Sequence, residues 1–120
     1  MSATLRQRLG ALAEQRAEAF LQARGLQPIA RNVRFRGGEI DLVMRDADEV
    51  VFVEVRARAS RGWGGAAASI DARKRRRLRL AAQLYLLQQH GNGHWPACRF
   101  DVVAIDADSV DWIRGAFGSG

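Results

Sequence analysis

Apolar residues recur at helical spacing near the start of the chain. From Thr4 to about Arg24 the pattern predicts an amphipathic helix that Gly25 ends. Thr4 and Gln7 form a capping-box pair at its first turn. The predicted apolar face consists of Leu5, Leu9, Leu12, Ala13, Phe20 and Leu21. This face is expected to pack on the rest of the fold, with Glu14 at its edge.

The hydrophobic period then changes to two, which predicts strands. Residues 29–36 and 39–45 alternate and are expected to form two strands, joined by a turn at Gly37-Gly38. Residues 50–58 form a third predicted strand, which is the most apolar segment of the chain. Its composition places it at the centre of a sheet.

A second helix and further strands follow. Ser69 or Asp71 caps a predicted helix that extends to about Gln89, and residues 100–105 and 109–113 are predicted strands. The order of elements predicts an α/β fold with a mixed central sheet of four to five strands, flanked by a helix on each side. At 120 residues, the chain is expected to form a single domain over residues 1–120.

Composition adds information about partners and compartment. The formal net charge is +6, and of the 19 basic residues only Lys74 is a lysine. This charge favours nucleic acid over an acidic membrane surface, and an arginine-rich genome is the alternative explanation. The single cysteine, Cys98, fits a cytoplasmic protein without disulfides. The sequence shows neither a signal-peptide pattern nor an apolar run long enough to span a bilayer, so no membrane partner is expected.

Carboxylates interrupt two of the apolar strands. Asp41 ends the string GEID at residues 38–41, and Glu54 follows thirteen residues later in the central strand. Buried carboxylates are costly unless they are paired or hold a cation. Two acids on adjacent strands can bind Mg²⁺ or Mn²⁺ for phosphodiester hydrolysis, and Glu14 can approach them from the first helix. Alternatively, Glu54 and Arg56 form an ordinary salt bridge and Asp41 caps a turn.

Two cations are candidates for contacting the scissile phosphate. Alternation places Arg56 on the same face as Glu54, but arginine stays protonated and cannot act as a general base. Lys74 is expected to face the sheet because its helical stripe is apolar. The other members of this stripe are Leu78, Ala81 and Tyr85. A lysine that merely snorkels at a helix end is the alternative.

Arginines cluster on three predicted elements around the acids. Such clusters suit a duplex or branched nucleic acid that is held by its phosphates. The candidate nucleic-acid-binding residues are Arg34, Arg36, Arg58, Arg61, Arg73, Arg75, Arg76 and Arg77. A solvated basic face without a partner is the alternative.

Two other motifs are rejected. His90, His94 and Cys98 recur at intervals of four, but glycines and a proline break the helix that would align them as zinc ligands, and a fourth ligand is missing. The glycine-rich loop predicted over residues 60–68 lacks the lysine and hydroxyl residue of a P-loop.

Several strings together resemble a known family. They are Gly10-x-x-Ala13-Glu14, Arg31-Asn32, Gly38-Glu39-Ile40-Asp41-Leu42, Val51-Phe52-Val53-Glu54-Val55-Arg56, Gly64-Gly65-Ala66-Ala67, Lys74, Arg99-Phe100-Asp101-Val102-Val103 and Ala116-Phe117. They extend in order over nearly the whole chain. On these residues the chain resembles the YraN-like family, small bacterial proteins with a restriction-endonuclease-like fold.

This resemblance implies a PD-(D/E)XK nuclease core, similar to that of archaeal Holliday-junction resolvases. It implies that Glu14 is the helical acid, Asp41 the strand acid, and Glu54 the acid of the acid-x-lysine element. Arg56 stands at the lysine position, which departs from the nuclease pattern. Migration of the lysine role to Lys74 would compensate for that departure.

We therefore expect a nucleic-acid-binding protein and Mg²⁺-dependent endonuclease that acts on structured or branched DNA, with DNA favoured over RNA. Cutting both strands or a junction would require a homodimer, because one copy carries one site. The alternative is a catalytically inactive nucleic-acid-binding or partner-binding module on a nuclease scaffold, which Arg56 favours. A third interpretation is a protein-interaction adaptor whose charge reflects genome composition.

Overall fold

A five-stranded mixed sheet with one helix against each face forms the fold in the computed structural model, which describes residues 4–57 and 70–118. The elements are α1 (Leu5–Ala23), β1 (Gln27–Phe35), β2 (Gly38–Asp46), β3 (Glu49–Ala57), α2 (Ala72–His90), β4 (Cys98–Ile105) and β5 (Val110–Phe117). The predicted α/β fold is confirmed. The loop predicted over residues 60–68 lies outside the described residues, and so do Arg58 and Arg61.

The strands lie side by side in chain order, from β1 to β5. All neighbouring pairs are antiparallel except β3 and β4, which are parallel. Parallel neighbours require a crossover connection, and α2 lies within it. The prediction that the third strand is central is confirmed, since β3 has two strands on either side.

Both ends of α1 follow the predicted chemistry. Thr4 Oγ1 accepts from the Gln7 backbone N at 3.1 Å, and Gln7 Oε1 accepts from the Thr4 backbone N at 2.9 Å, which completes the capping box. At the other end Gly25 has φ +96°, and the Leu26 N–H donates to the Leu21 carbonyl at 3.1 Å. Leu21 and Leu26 are both buried, so a Schellman-type end turns the chain into β1.

The apolar face predicted for α1 is wrong in its first half. Leu5, Leu9 and Leu12 have exposed fractions of 66%, 55% and 55%. The helix instead docks through a narrower stripe near its C-terminal end, where small side chains permit close approach. The buried members are Ala13, Ala17, Glu18 and Leu21. Burial of a glutamate in this stripe is compensated, because Glu18 forms a two-pronged ion pair with Arg31 of β1.

The first hairpin turns one residue earlier than predicted. Arg36 and Gly37 form the turn, and Gly37 adopts φ +89°, which a glycine tolerates without strain. Gly38 is the first residue of β2 and is buried. It therefore has a packing role and not a turn role.

The chain's last strand is longer than predicted and closes one core. β5 continues to Phe117, whose ring stacks on that of Phe100 with centroids 4.9 Å apart. Trp112 meets Phe20 of α1 edge-on at 6.4 Å. These two contacts pack the C-terminal part of the described chain on the body of the fold. Within the described ranges, no helix is both long and apolar enough to cross a membrane.

Candidate active site

Strands β2 and β3 separate at one end, and two candidate acids lie at this fork. The strands pair from Asp46 opposite Glu49 to Leu42 opposite Val53, where the pairing stops. Beyond that point Asp41 Oδ2 accepts a hydrogen bond from the backbone N of Val55 at 2.9 Å. A side-chain carboxylate thus takes the place of a strand carbonyl, and it holds Asp41 beside β3.

Glu54 is the most deeply buried acid of the fork. It is 3% exposed, and its Oε1 lies 3.0 Å from Lys74 Nζ and 3.9 Å from Arg56 Nη1. Its Oε2 is buried and accepts no hydrogen bond among the residues that the structure describes, although the Asp41 carboxyl lies close enough to Glu54 to share a proton with it. A buried carboxylate oxygen without a donor is costly, which suggests a missing positive partner.

Lys74 reaches this acid because of how α2 begins. Asp71 is the N-cap and accepts from the Lys74 backbone N at 2.8 Å, which places the lysine in the first helical turn. The apolar stripe predicted to share its face is buried. That stripe consists of Leu78, Ala81 and Tyr85. The predicted inward direction of Lys74 is therefore confirmed.

Gly38 sets the distance between α2 and the fork. A Cβ atom at Gly38 would lie 2.3 Å from the carbonyl oxygen of Arg77, and 3.2 Å from Ala81 Cβ. Only a residue without a side chain allows the β2 backbone to approach α2 so closely. The first residue of the GEID string thereby positions the helix that carries Lys74.

The acids influence each other's protonation. Burial, followed by the nearby charge of Asp41, raises the pKa of Glu54 to about 7, although Lys74 opposes the shift. Burial also raises the pKa of Asp41, and the hydrogen bond from Val55 opposes that rise. Two carboxylates share one adjacent ammonium, so the fork favours a further positive charge, as a proton or as a cation.

Glu14 of α1 lines the same cleft as Asp41 and Glu54. This cleft has a volume of about 630 Å³. Burial and then the charge of Asp41 raise the pKa of Glu14, while a hydrogen bond with Asn32 opposes the rise. Among the described residues, however, no three histidine, cysteine, aspartate or glutamate side chains are grouped closely enough to hold a metal ion. The structure thus brings Asp41 and Glu54 together and places Glu14 on the wall.

The carboxylate oxygens of the fork are nevertheless the kind of ligand that a hard cation prefers. Mg²⁺ is commonly bound through one or two carboxylates, with water and phosphate oxygens completing its coordination. Asp41 and Glu54 offer two carboxylates, and Glu54 Oε2 still lacks a partner among the described residues. Glu14 faces the same space and could hold a coordinated water.

The candidate arginines divide into three groups. Arg56, Arg73 and Arg77 line a second cleft of about 270 Å³, together with Lys74 and Asp71. Arg75 donates to the Ile70 carbonyl at 2.9 Å, so it holds the start of α2. The remaining described candidates are exposed and line neither cleft, although the charge of one of them, Arg34, acts on Glu14. They are Arg34, which pairs with Glu39 at 3.8 Å, Arg36 and Arg76.

A second buried charge network was missed by the sequence analysis. Asp101 of β4 is 1% exposed and accepts from Arg99 Nε at 3.0 Å, from Trp112 Nε1 at 2.9 Å and from the Gly115 N–H at 2.9 Å. Arg99 also reaches Glu49 at 2.7 Å. The signal that could have indicated it is the sequence Arg99-x-Asp101, which has the same spacing as Glu54 and Arg56 with the acid and the base in reverse order.

The chain is similar to a set of bacterial proteins. Residues 13–105 match the model of the uncharacterised protein family UPF0102. A UPF0102 protein of Aeromonas hydrophila subsp. hydrophila is 55% identical over 104 residues, which cover 87% of this chain and 80% of the relative. One of Burkholderia thailandensis is 57% identical over 110 residues, covering 91% and 74%. UPF0102 is the YraN-like family that the motifs indicated, so that resemblance is confirmed. The chain belongs to the uncharacterised protein family UPF0102.

Proposed function

We propose that this protein binds structured DNA and hydrolyses a phosphodiester bond with a Mg²⁺ or Mn²⁺ ion held by Asp41 and Glu54. One observation carries the proposal: Glu54 is buried beside Asp41, and its Oε2 has no donor in the described part of the chain. A fold stabilised only by salt bridges would not need such an arrangement. Asp101 is equally buried, and each of its carboxylate oxygens accepts at least two hydrogen bonds.

When bound, the ion would neutralise phosphate oxygens and activate water. The chain's own residues have separate roles. Asp41 is held in place by the Val55 N–H, so its carboxylate is oriented before any ligand arrives. Glu14 is proposed to orient a water from the opposite wall of the cleft, as its position among the lining residues allows.

Lys74 is proposed to contact the scissile phosphate. Its ammonium is closer to Glu54 than the Arg56 guanidinium is, at 3.0 Å against 3.9 Å, and it lies on the boundary of both clefts. Because the lysine side chain is flexible, its ammonium can exchange an ion pair with a carboxylate for one with an incoming phosphate. Arg56 also lines both clefts, and its planar fork suits two oxygens of one phosphate.

The flanking backbone is proposed to bind at Arg73 and Arg77. These residues line the smaller cleft next to Lys74, and the whole chain carries a net charge of +6. Phosphate contacts by arginine release counterions, so binding is expected to weaken steeply as salt concentration rises.

A cleavage assay with matched variants tests the proposal. Labelled four-way-junction, flap, duplex and single-stranded DNA are incubated with Mg²⁺ or Mn²⁺, with wild type beside Asp41→Asn and Asp48→Asn. An asparagine at position 41 keeps an oxygen for the Val55 N–H but removes the charge. Asp48 lies in the exposed turn after β2, so its variant makes the same chemical change away from the fork. Cutting should disappear in Asp41→Asn and persist in Asp48→Asn.

The same variants separate the enzyme from its main rival, an inactive binding module. The rival is favoured by Arg56 at the usual lysine position and by the ion pair of Lys74 with Glu54, which already neutralises one acid. Mn²⁺ should raise the melting temperature of wild type and Asp48→Asn but not of Asp41→Asn. No cutting, no Mn²⁺ effect and equal salt-sensitive DNA binding by wild type and Asp41→Asn would support the binding module instead.

Lys74→Met and Arg56→Met then assign the phosphate-contacting role. Loss of the group that contacts the reacting phosphate should lower the rate by about 10²-fold or more, as for other transition-state hydrogen-bond donors. We expect this loss for Lys74→Met and a smaller one for Arg56→Met. A larger rate loss for Arg56→Met than for Lys74→Met would show that Arg56 contacts the phosphate instead.

A further inference from the structure

A row of side chains four residues apart extends along α1 and changes its surroundings midway. Ala13, Ala17 and Leu21 are buried in the core between α1 and the sheet. Leu5 and Leu9 continue the row toward the helix N-terminus, where they are exposed and line the cleft that contains Asp41 and Glu54. The acidic centre is therefore faced by an apolar wall, which the hydrolysis of a phosphodiester does not itself require.

The size of the cleft limits what can enter it. A volume of about 630 Å³ lies within the range of about 300–1,000 Å³ that takes a drug-sized molecule. A space of this size takes a group of nucleotide size and does not take a base-paired duplex. Glu54 lines the cleft and is only 3% exposed, so a phosphate must enter the cleft to reach it.

The charges around the cleft indicate the direction of a bound strand. Arg6 lines the cleft beside the two leucines. Lys74 and Arg56 line both this cleft and the smaller one, which adds Arg73 and Arg77. Leu5 and Leu9 of α1, with Arg6 beside them, thus line one part of the cleft, and Lys74 leads from the acids to the further cations of α2. This arrangement matches the apolar base faces and anionic backbone of a single strand.

We propose that the cleft takes unpaired nucleotides, with bases against Leu5 and Leu9 and phosphates extending past Lys74 toward Arg73 and Arg77. This inference rests on the proposed function and specifies its substrate class: nucleic acid that is single-stranded or opened at the point of cutting. Leucine contributes here as an apolar surface against which an exposed base is buried, a use that proteins make of leucine when they separate base steps. Continuous duplex is bound only through its outer phosphates.

The test compares binding to two DNA molecules of the same sequence, one a continuous duplex and one with a short unpaired gap. Ca²⁺ replaces Mg²⁺ in this binding experiment, and fluorescence anisotropy gives the affinities. The variants are Leu5→Ser with Leu9→Ser, and Leu12→Ser as the control. Leu12 has the same exposed fraction as Leu9, 55%, but is not among the residues that line the cleft. All three positions are exposed, and melting temperatures verify that the variants fold.

Wild type should bind the gapped DNA about tenfold more tightly than the duplex, because two leucines become buried against bases. The double variant should lose this preference, and Leu12→Ser should keep it. Equal wild-type affinity for the two DNA molecules would overturn the inference, and so would an equal loss in Leu12→Ser. A change from dimer to monomer in the double variant, seen by light scattering, would show instead that a second copy covers the leucines.

The two proposals fail in different ways. Cutting of continuous duplex as fast as of gapped DNA, abolished in Asp41→Asn, would uphold the nuclease and overturn the single-strand cleft. Selective binding of the gapped DNA without any cutting would uphold the cleft and overturn the hydrolysis.

Discussion

Two acid–base pairs with the same spacing have different environments in this fold. Asp101 has three donors, one of which is the Arg99 guanidinium, so its charge is compensated within the protein. Glu54 has one ammonium at 3.0 Å and an oxygen without a donor among the described residues. Hydrogen-bond satisfaction, more than burial, therefore distinguishes a structural acid from a candidate ligand at the residue scale.

The protonation of Glu54 predicts how stability depends on pH in the metal-free protein. Burial and Asp41 raise the pKa of Glu54 from 4.5 to about 7, so the folded chain binds the proton more tightly than the unfolded chain. The resulting stabilisation is fully present below pH 4.5 and is lost as pH rises through about 7. We expect the free energy of unfolding to fall by up to about 3 kcal/mol over this window. Urea unfolding in EDTA at several pH values measures it.

Glu54→Gln provides the control for this prediction. The amide does not titrate, so most of the pH dependence between 4.5 and 7 should disappear. A smaller dependence of the same sign should remain, because burial also raises the pKa of Asp41. Stability that rises over this window in wild type would contradict the assignment.

Contacts between elements decide whether the residues of the fork meet. α2 lies against the backbone of β2 at Gly38, and its first turn presents Lys74 to β3. On the other face, α1 docks through its alanines and presents Glu14 to the same cleft. The site is thus assembled from two helices whose positions depend on small residues.

Gly38→Ala should disturb both stability and the site. The new methyl group would lie 2.3 Å from a backbone carbonyl oxygen, so α2 would have to move and carry Lys74 with it. We expect a loss of about 1–3 kcal/mol in the free energy of unfolding, typical of overpacking. Urea denaturation measures this loss.

Gly10→Ala is the matched control for the same chemical change. A Cβ at Gly10 has nothing within 4 Å, and the residue is inside α1. Alanine has the higher helix propensity, so this variant should gain about 0.5–1 kcal/mol. If the two variants had equal stability, the proposed contact between β2 and α2 would be refuted.

A charge network connects distant parts of the whole molecule. Arg99 of β4 lies within 3.0 Å of Asp46 Oδ2 in β2, within 2.7 Å of Glu49 Oε1 in β3, and 3.0 Å from Asp101. Asp101 in turn accepts from β5. The network lies where β2 and β3 are paired, so it holds together the strands that separate at the fork.

Arg99→Met should therefore strongly destabilise the protein. Removing the guanidinium leaves the buried Asp101 charge without its cation, which typically costs about 3–5 kcal/mol. Arg114→Met is the comparison, because Arg114 also contacts Asp46 but its side chain is 59% exposed, against 15% for Arg99. We expect a loss below about 1 kcal/mol there. Thermal and urea unfolding measure the stability of the two variants. Similar losses in the free energy of unfolding would contradict a buried network around Arg99.

The features that the sequence determined are those with local causes. Hydrophobic period, capping residues and glycines indicated both helices, the central strand and the α/β class. Alternation within one strand placed Glu54 beside Arg56, and the helical stripe pointed Lys74 inward. Each of these depends on residues within a few positions of one another, so the pattern alone contains the necessary information.

The tertiary structure decided the rest. Leu5 and Leu9 belong to the same helical row as Ala13, yet only contact with the sheet determines where that row becomes buried. Gly38 has the local pattern of a turn, but the approach of α2 gives it a packing role. The fork between β2 and β3 has the same origin, since it depends on where two strands stop pairing. The sequence by itself thus determined the elements and the candidate acids. Only the fold decided which surfaces meet, because burial depends on partners that are distant in the chain.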